Sequence, residues 1–212
     1  MKKIAIIGAG GWGREVALLV AQINKVKPSW ELLGFYDDNL PPGTKVDGAP
    51  VLGKVENLNA IDSNTSVVVA VASPRDRKEI VGRISNPHVS YPSIVHPNAN
   101  PGHPGNGFGQ GCVISEGCTL TVGVTLRDFV ILNLASTIGH DVELGQFTSV
   151  MPGCHISGNV KVGSGTLIGT GATVLQNISI GGASVIGAGA VVTKSFPPGS
   201  KLLGIPAKNM NE

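Results

Sequence analysis

Cut every six residues, positions 108–197 read FGQGCV ISEGCT LTVGVT LRDFVI LNLAST IGHDVE LGQFTS VMPGCH ISGNVK VGSGTL IGTGAT VLQNIS IGGASV IGAGAV VTKSFP. Every block opens on a large apolar residue, from Phe108 and Ile114 through Ile138 and Val150 to Val192. Four places after the lead comes a small or medium residue such as Cys112, Cys118, Val124, Ser136, Thr148, Cys154, Ala172 or Ala190. Glycine recurs one or three places after the lead, as at Gly163 and Gly165 or Gly187 and Gly189. A period of six suits neither the helical repeat of about 3.6 nor an endless alternating strand. It suits a parallel β-helix, in which each hexad supplies one short strand and one corner. The lead residue then points inward and stacks on its equivalents in neighbouring coils, and glycine relaxes the corner. If three hexads close a coil, these fifteen make five coils.

Composition agrees with such a chain: thirty glycines and 14% charged residues among 212. A net charge of +2 with no basic run predicts no nucleic-acid partner. No apolar run reaches the roughly 18–20 residues of a membrane span, so no membrane partner is expected. The short apolar run after Met1-Lys2-Lys3 ends in a glycine loop with no cleavage motif, and cytoplasmic localisation is the default. Cys112, Cys118 and Cys154 all take the interior place of a hexad and read as packing residues rather than a disulfide framework or zinc site.

Ahead of the repeats, residues 3–7 read as a strand and run into Gly8-Ala9-Gly10-Gly11-Trp12-Gly13, with helical spacing of Val16, Leu19, Val20 and Ile23 behind. Strand, G-x-G-x-x-G and helix together form a tight turn that brings backbone N–H groups up to a phosphate. A second strand, Trp30 to Tyr36, ends in Asp37-Asp38, placed to accept hydrogen bonds from a ribose or base. A third, Ser66 to Ala72, leads through Ser73 to a helix over residues 76–84. Fewer than a hundred residues precede the repeats, room for one mononucleotide half rather than a dinucleotide fold. The expected class is therefore an α/β, Rossmann-like nucleotide-binding domain followed by an all-β parallel β-helix. The expected boundaries are 1–90 for the nucleotide-type domain, 91–107 for a proline-rich junction, 108–197 for the β-helix and 198–212 for a tail that runs back along the prism as a cap or ligand-covering strand. His88, His96 and His103, near or within the junction, read as surface or junction histidines.

Within the repeats, Ile138-Gly139-His140-Asp141-Val142-Glu143 stands out. Histidine is suited to take a proton near neutral pH, and a carboxylate that fixes its tautomer improves it as a base. Neighbours on a flat strand point opposite ways, so spacing alone does not bring His140 and Asp141 together. His155 is a weaker rival, structural or lining a cleft.

Taken with the closing Gly204-Ile205-Pro206-Ala207-Lys208, these features resemble the left-handed β-helix acyltransferases. The added glycine loop and Asp37-Asp38 are similar to sialic-acid O-acetyltransferases and UDP-4-amino-sugar N-acetyltransferases of bacterial glycan biosynthesis. The resemblance implies the left hand of the coil, a homotrimer, and acetyl-CoA as co-substrate in a cleft between adjacent prisms. It implies His140 as general base, Asp141 as the acid behind it and Asn133 as a group orienting the acceptor. Gly158 would contact the thioester oxygen through its backbone, and Ser149, Thr170 and Ala188 would line the acetyl-CoA cleft. Gly10, Gly11, Trp12, Asp37, Asp38, Ala72 and Ser73 would surround the nucleotide sugar; no metal is expected. Trp12 stands where relatives often carry histidine, and Ser149 where the N-acetyltransferases carry a second cleft histidine, so N- and O-transfer both remain open. Competing readings are a nucleotide-binding oxidoreductase or regulator on a β-helix scaffold, a metal-dependent anhydrase-like protein, and an acetyltransferase for serine or a free sugar.

Overall fold

A computed structural model describes residues 1–211, in two compact units that divide between Pro92 and Ser93. The first unit runs β1 (Lys2–Ile7), α1 (Gly11–Val26), β2 (Trp30–Tyr36), β3 (Lys45–Val46), β4 (Ala49–Gly53), β5 (Thr65–Val69), α2 (Pro74–Gly82) and β6 (Val89–Ser90). Its sheet has the order β3-β4-β2-β1-β5-β6 and is parallel apart from the β3–β4 hairpin. Ile4, Ala5, Ile6 and Ile7 of the central β1 are at most 1% exposed, which is why that strand reads as a continuous apolar run. Helix α1 covers it with Val16, Leu19 and Val20, the residues whose spacing predicts the helix.

Two boundaries differ from expectation. β5 ends at Val69 rather than Ala72, and α2 begins at Pro74 rather than Asp76. The reason is capping: the Ser73 hydroxyl accepts the Asp76 N–H at 3.3 Å and Pro74 opens the helix. Proline at the first helical position loses only an N–H that had no partner there anyway. The β3–β4 hairpin and the 3-10 turn over Val55–Ala60 have no counterpart in the sequence reading.

The second unit is a parallel β-helix of two-residue strands. Partners are eighteen residues apart, as in Thr119↔Thr137↔His155↔Thr173↔Val191, so three hexads do close one coil. The second residue of each strand is the predicted lead, and Ile114 through Val192 form one buried column-packed core. Burial of each such side chain is worth about 1.5–3 kcal/mol. Cys112, Cys118 and Cys154 are fully buried in it, and burial pushes all three thiols up in pKa. Three places after the lead, fourteen consecutive hexads take a left-handed φ, from Gly111 to Gly189, and seven of these residues are not glycine.

The coil is longer than the repeat. Ile94–Val95 pairs with Val113–Ile114, and Asn100 bridges to Thr119, so the 91–107 segment supplies a rung before the first hexad. Its prolines separate short strands rather than exclude them. At the other end the tail does not run back along the prism. Lys201–Leu203 adds a further parallel rung on Val185–Ile186, then folds into an antiparallel pair with Lys208–Asn209. Leu202 is fully buried, an apolar anchor that a hexad count starting from Phe108 passes over.

Candidate active site

His140 and Asp141 lie in a corner between Thr137–Ile138 and Glu143–Leu144. Asp141 has φ 58°, and this left-handed residue breaks the strand alternation that would set neighbours on opposite faces. Its Oδ2 accepts from His140 Nδ1 at 2.9 Å, on an edge where the two side chains are 61% and 66% exposed. A carboxylate can only accept, so Nδ1 carries a proton, and in the neutral ring this leaves the lone pair on Nε2, the tautomer a general base requires.

Strand register sets Gly158 one coil below His140. A Cβ placed on Gly158 would overlap Nε2 and lie 2.5 Å from Cε1 and 2.6 Å from Cδ2 of that ring. The imidazole therefore occupies the space that a side chain at 158 would fill. The Gly158 N–H makes no hydrogen bond among the described residues, although its carbonyl accepts from Asn177 at 3.1 Å. His140, Asp141 and Gly158 thus come together: an imidazole, the carboxylate that holds its Nδ1, and a backbone N–H without a partner among the described residues.

Other expected residues sit elsewhere on the coil. Asn133, Thr170 and Ala188 follow strands of another sheet and line the opposite edge of the face that ends at His140. Thr170 and Ala188 are exposed; Asn133 is 8% exposed, its Oδ1 accepting the Leu134 N–H at 2.7 Å. Ser149 is fully buried in the strand Ser149–Val150. An open groove of about 680 Å³ begins just past His140, lined by Arg127, Glu143, Lys161, Gly163, Ser164 and Phe196. A smaller one of about 280 Å³ runs along the preceding face past Thr119, Thr137, Gly139, His155 and Ser157. His155 meets Thr137 Oγ1 there through Nδ1 at 2.9 Å, which places it in a groove wall.

In the first unit the glycines divide into two kinds. A Cβ on Gly13 would overlap the Gly8 carbonyl oxygen, so Gly13 is demanded by helix–strand contact. Gly10 and Gly11 meet nothing within 4 Å; the fold itself does not need them bare. They lie at the carboxyl edge of β1, beside the point where strand order reverses between β1 and β5, the usual crevice for nucleotides in open sheets. Ala72 and Ser73 follow β5 on the other side of it. Trp12 Nε1 is buried without a hydrogen-bond partner among the described residues.

Asp37 and Asp38 are committed to the fold more than expected. Asp37 accepts the Ala9 N–H at 2.8 Å on one oxygen and the Asn39 N–H at 2.8 Å on the other, tying the glycine loop to the end of β2. Asp38 accepts from Val55 N at 3.0 Å and from Arg83 Nη1 at 2.8 Å. Burial pushes its carboxyl up, but Arg83, the Val55 N–H and Lys54 outweigh this and hold it below the usual carboxylate range.

Two features escape sequence reading. Arg77 is 1% exposed and donates from Nη1 to the Val71 carbonyl at 2.6 Å and the Ala72 carbonyl at 3.2 Å, bracing the loop after β5. His96, 4% exposed, accepts the Asn98 N–H on Nδ1 at 3.0 Å, while its buried Nε2 and the Ser115 Oγ on the next coil find no partner among the described residues. Nothing in the spacing of single residues signals either. Among the described residues no three His, Cys, Asp or Glu side chains cluster to hold a metal, and no helix is long and apolar enough to cross a membrane.

Residues 3–84 match the model of the PglD N-terminal domain. GDP-perosamine N-acetyltransferase of Escherichia coli O157:H7 is 33% identical over 159 residues, 74% of this chain and 71% of that protein. This chain belongs to the PglD-like family of hexapeptide-repeat sugar acetyltransferases. The family likeness extends to solved structures over nearly the whole length. The acetyltransferase domain of PglB from Neisseria gonorrhoeae, in complex with acetyl coenzyme A, superposes with a TM-score of 0.90 at 36% identity over 99% of both chains. PerB from Caulobacter crescentus, in complex with CoA and GDP-perosamine, gives 0.86 at 25% identity over 99% of this chain and 97% of its own.

Proposed function

We propose that this enzyme moves an acetyl group from acetyl-CoA to the amine of a nucleotide-linked 4-amino sugar, by direct transfer with His140 as general base. The observation that carries the reading is the edge constellation: Nδ1 committed to Asp141 at 2.9 Å, Nε2 left for a substrate proton, and one coil away a Gly158 N–H with no partner among the described residues. The kinship with an enzyme named for GDP-perosamine, and the structure of PglB with acetyl coenzyme A, support the substrates.

The sugar amine attacks the thioester carbonyl carbon while Nε2 of His140 takes its proton. The C–N bond forms, and the oxyanion is met by backbone N–H groups, Gly158 among them. Collapse breaks the C–S bond, and the coenzyme A thiolate leaves or recovers the proton from the imidazolium. Holding both substrates in line supplies much of the acceleration. The buried cysteines, with raised pKa values, are poor candidates for an acyl-enzyme. Asn133 orients the acceptor, and Thr170, Ala188 and Ser149 belong to the acetyl-CoA cleft; Ser149, being buried, shapes it from beneath. Gly10, Gly11, Trp12, Ala72 and Ser73 hold the nucleotide sugar, with Asp37 and Asp38 using their remaining lone pairs.

Homotrimer assembly follows from the same reading. His140 and Gly158 occupy one edge of a prism face and Asn133, Thr170 and Ala188 the other, so a neighbouring copy is needed to bring the two edges together. A cytoplasmic setting suits acetyl-CoA as donor.

The test is thiol release from acetyl-CoA on adding UDP- or GDP-linked 4-amino-4,6-dideoxy sugars. Release that disappears in His140→Ala is the expected result. Turnover only with a sugar hydroxyl would move the acceptor to oxygen. No turnover with any sugar would overturn the reading.

A further inference from the structure

An imidazole held only through Nδ1 can swing about that one hydrogen bond, and His140 is mostly exposed. A second constraint is needed to give Nε2 a fixed place. The surface beneath the ring supplies it. The three heavy atoms nearest to a Cβ built on Gly158 are Nε2, Cε1 and Cδ2 of His140, all within 2.6 Å. The ring therefore rests on the bare Cα of the next coil.

We infer that Gly158 is a positioning residue for His140, acting through its missing side chain. This rests on the reading of His140 as the base. Asp141 in its left-handed corner sets the ring's tautomer and hinge point; the flat backbone at Gly158 sets how far the ring can lie down. Together they bring the lone pair of Nε2 close to the Gly158 N–H.

The glycine is not there for its backbone. Its φ lies outside the left-handed region, unlike that of Gly153 or Gly165 in neighbouring hexads. Alanine can adopt the same conformation, and the nearest obstacle to its methyl group is the movable end of an exposed side chain. The contrast with Gly139 is informative, since a Cβ there would lie 2.7 Å from the Gly158 backbone nitrogen, which cannot move aside.

The experiment compares Gly158→Ala, His140→Ala and the double variant, all as the full chain. Gly158→Ala is expected to keep the melting temperature and oligomeric mass and to leave KM for acetyl-CoA within a few-fold. Its kcat should fall roughly 10–100-fold, the scale of a misplacement of about 1 Å. In the His140→Ala background the same substitution should cost nothing further, because the ring it displaces is gone. The His140 imidazole resonances of Gly158→Ala should shift. An equal loss in both backgrounds would overturn the inference, since the methyl group would then be acting on a substrate or the coil. So would failure of Gly158→Ala to fold, or a kcat unchanged from wild type. If His140→Ala alone retains nearly full activity, the base assignment falls first, and that result is read from a different variant.

Discussion

At the residue scale, one left-handed corner turns an ordinary dipeptide into a hydrogen-bonded imidazole–carboxylate pair. His140 and Asp141 are sequence neighbours whose side chains meet because Asp141 has φ 58°, a conformation that asparagine and aspartate tolerate better than most residues. His140→Ala is expected to lower kcat by ~10²–10⁴-fold with little change in either KM. A variant within a few-fold of wild type in a thiol-release assay would remove the assignment. Asp141→Asn keeps the shape and can still tolerate the corner, but its amide can donate as well as accept, so the tautomer is no longer enforced. It should lower kcat less than His140→Ala does, while the melting temperature stays put. Arg77 is a residue of the other kind, structural and invisible to motif reading. Arg77→Ala strips the Val71 and Ala72 carbonyls of a donor and leaves a cavity, and thermal unfolding should report a loss of about 2–4 kcal/mol.

At the element scale, the glycine loop holds one glycine that packing demands and two that it does not. Gly13→Ala forces α1 off β1 and should destabilise the first unit by about 2–3 kcal/mol or more. Gly10→Ala and Gly11→Ala meet open space and should leave stability nearly unchanged, within about 1 kcal/mol, yet weaken nucleotide-sugar binding measured by calorimetry. Equal melting losses in all three would show that the loop is only a turn. The Asp38–Arg83 pair links the end of β2 to the residue capping α2. Its lowered carboxyl pKa means that the contribution is complete above the ordinary value of about 3.9 and fades as pH falls through the folded-state value. Melting curves from pH 6 down to pH 3 should therefore steepen their decline below about pH 4 in the wild type and less so in Asp38→Asn. On the coil, the orphaned Ser115 hydroxyl makes Ser115→Ala neutral or stabilising by up to about 1 kcal/mol.

At the scale of the whole molecule, the β-helix is a line of near-identical rungs, each stabilised mainly by the next. Its ends need closure, and the chain closes them with residues outside the repeat, Ile94 before it and Leu202 after it, both buried. Sedimentation or light scattering should give about three times the 21.7 kDa of one chain. A monomer with full activity would contradict a site assembled from two edges.

The hexad phase determined the coil, its inward residues and the burial of all three cysteines, because a period of six constrains each position through its identical neighbours above and below. The G-x-G-x-x-G loop between strand and helix likewise determined where the first unit's crevice lies. Only the tertiary structure decided that His140 touches Asp141, that Gly158 is the seat of the imidazole, and that Asp37 and Asp38 are engaged by backbone and Arg83. It also decided that the repeat gains a rung at either end. Those facts depend on corner dihedrals and on residues eighteen or forty-five positions apart that meet across coils and loops. A periodic pattern repeats its information along the chain, whereas a contact between two particular side chains is written only once, in space.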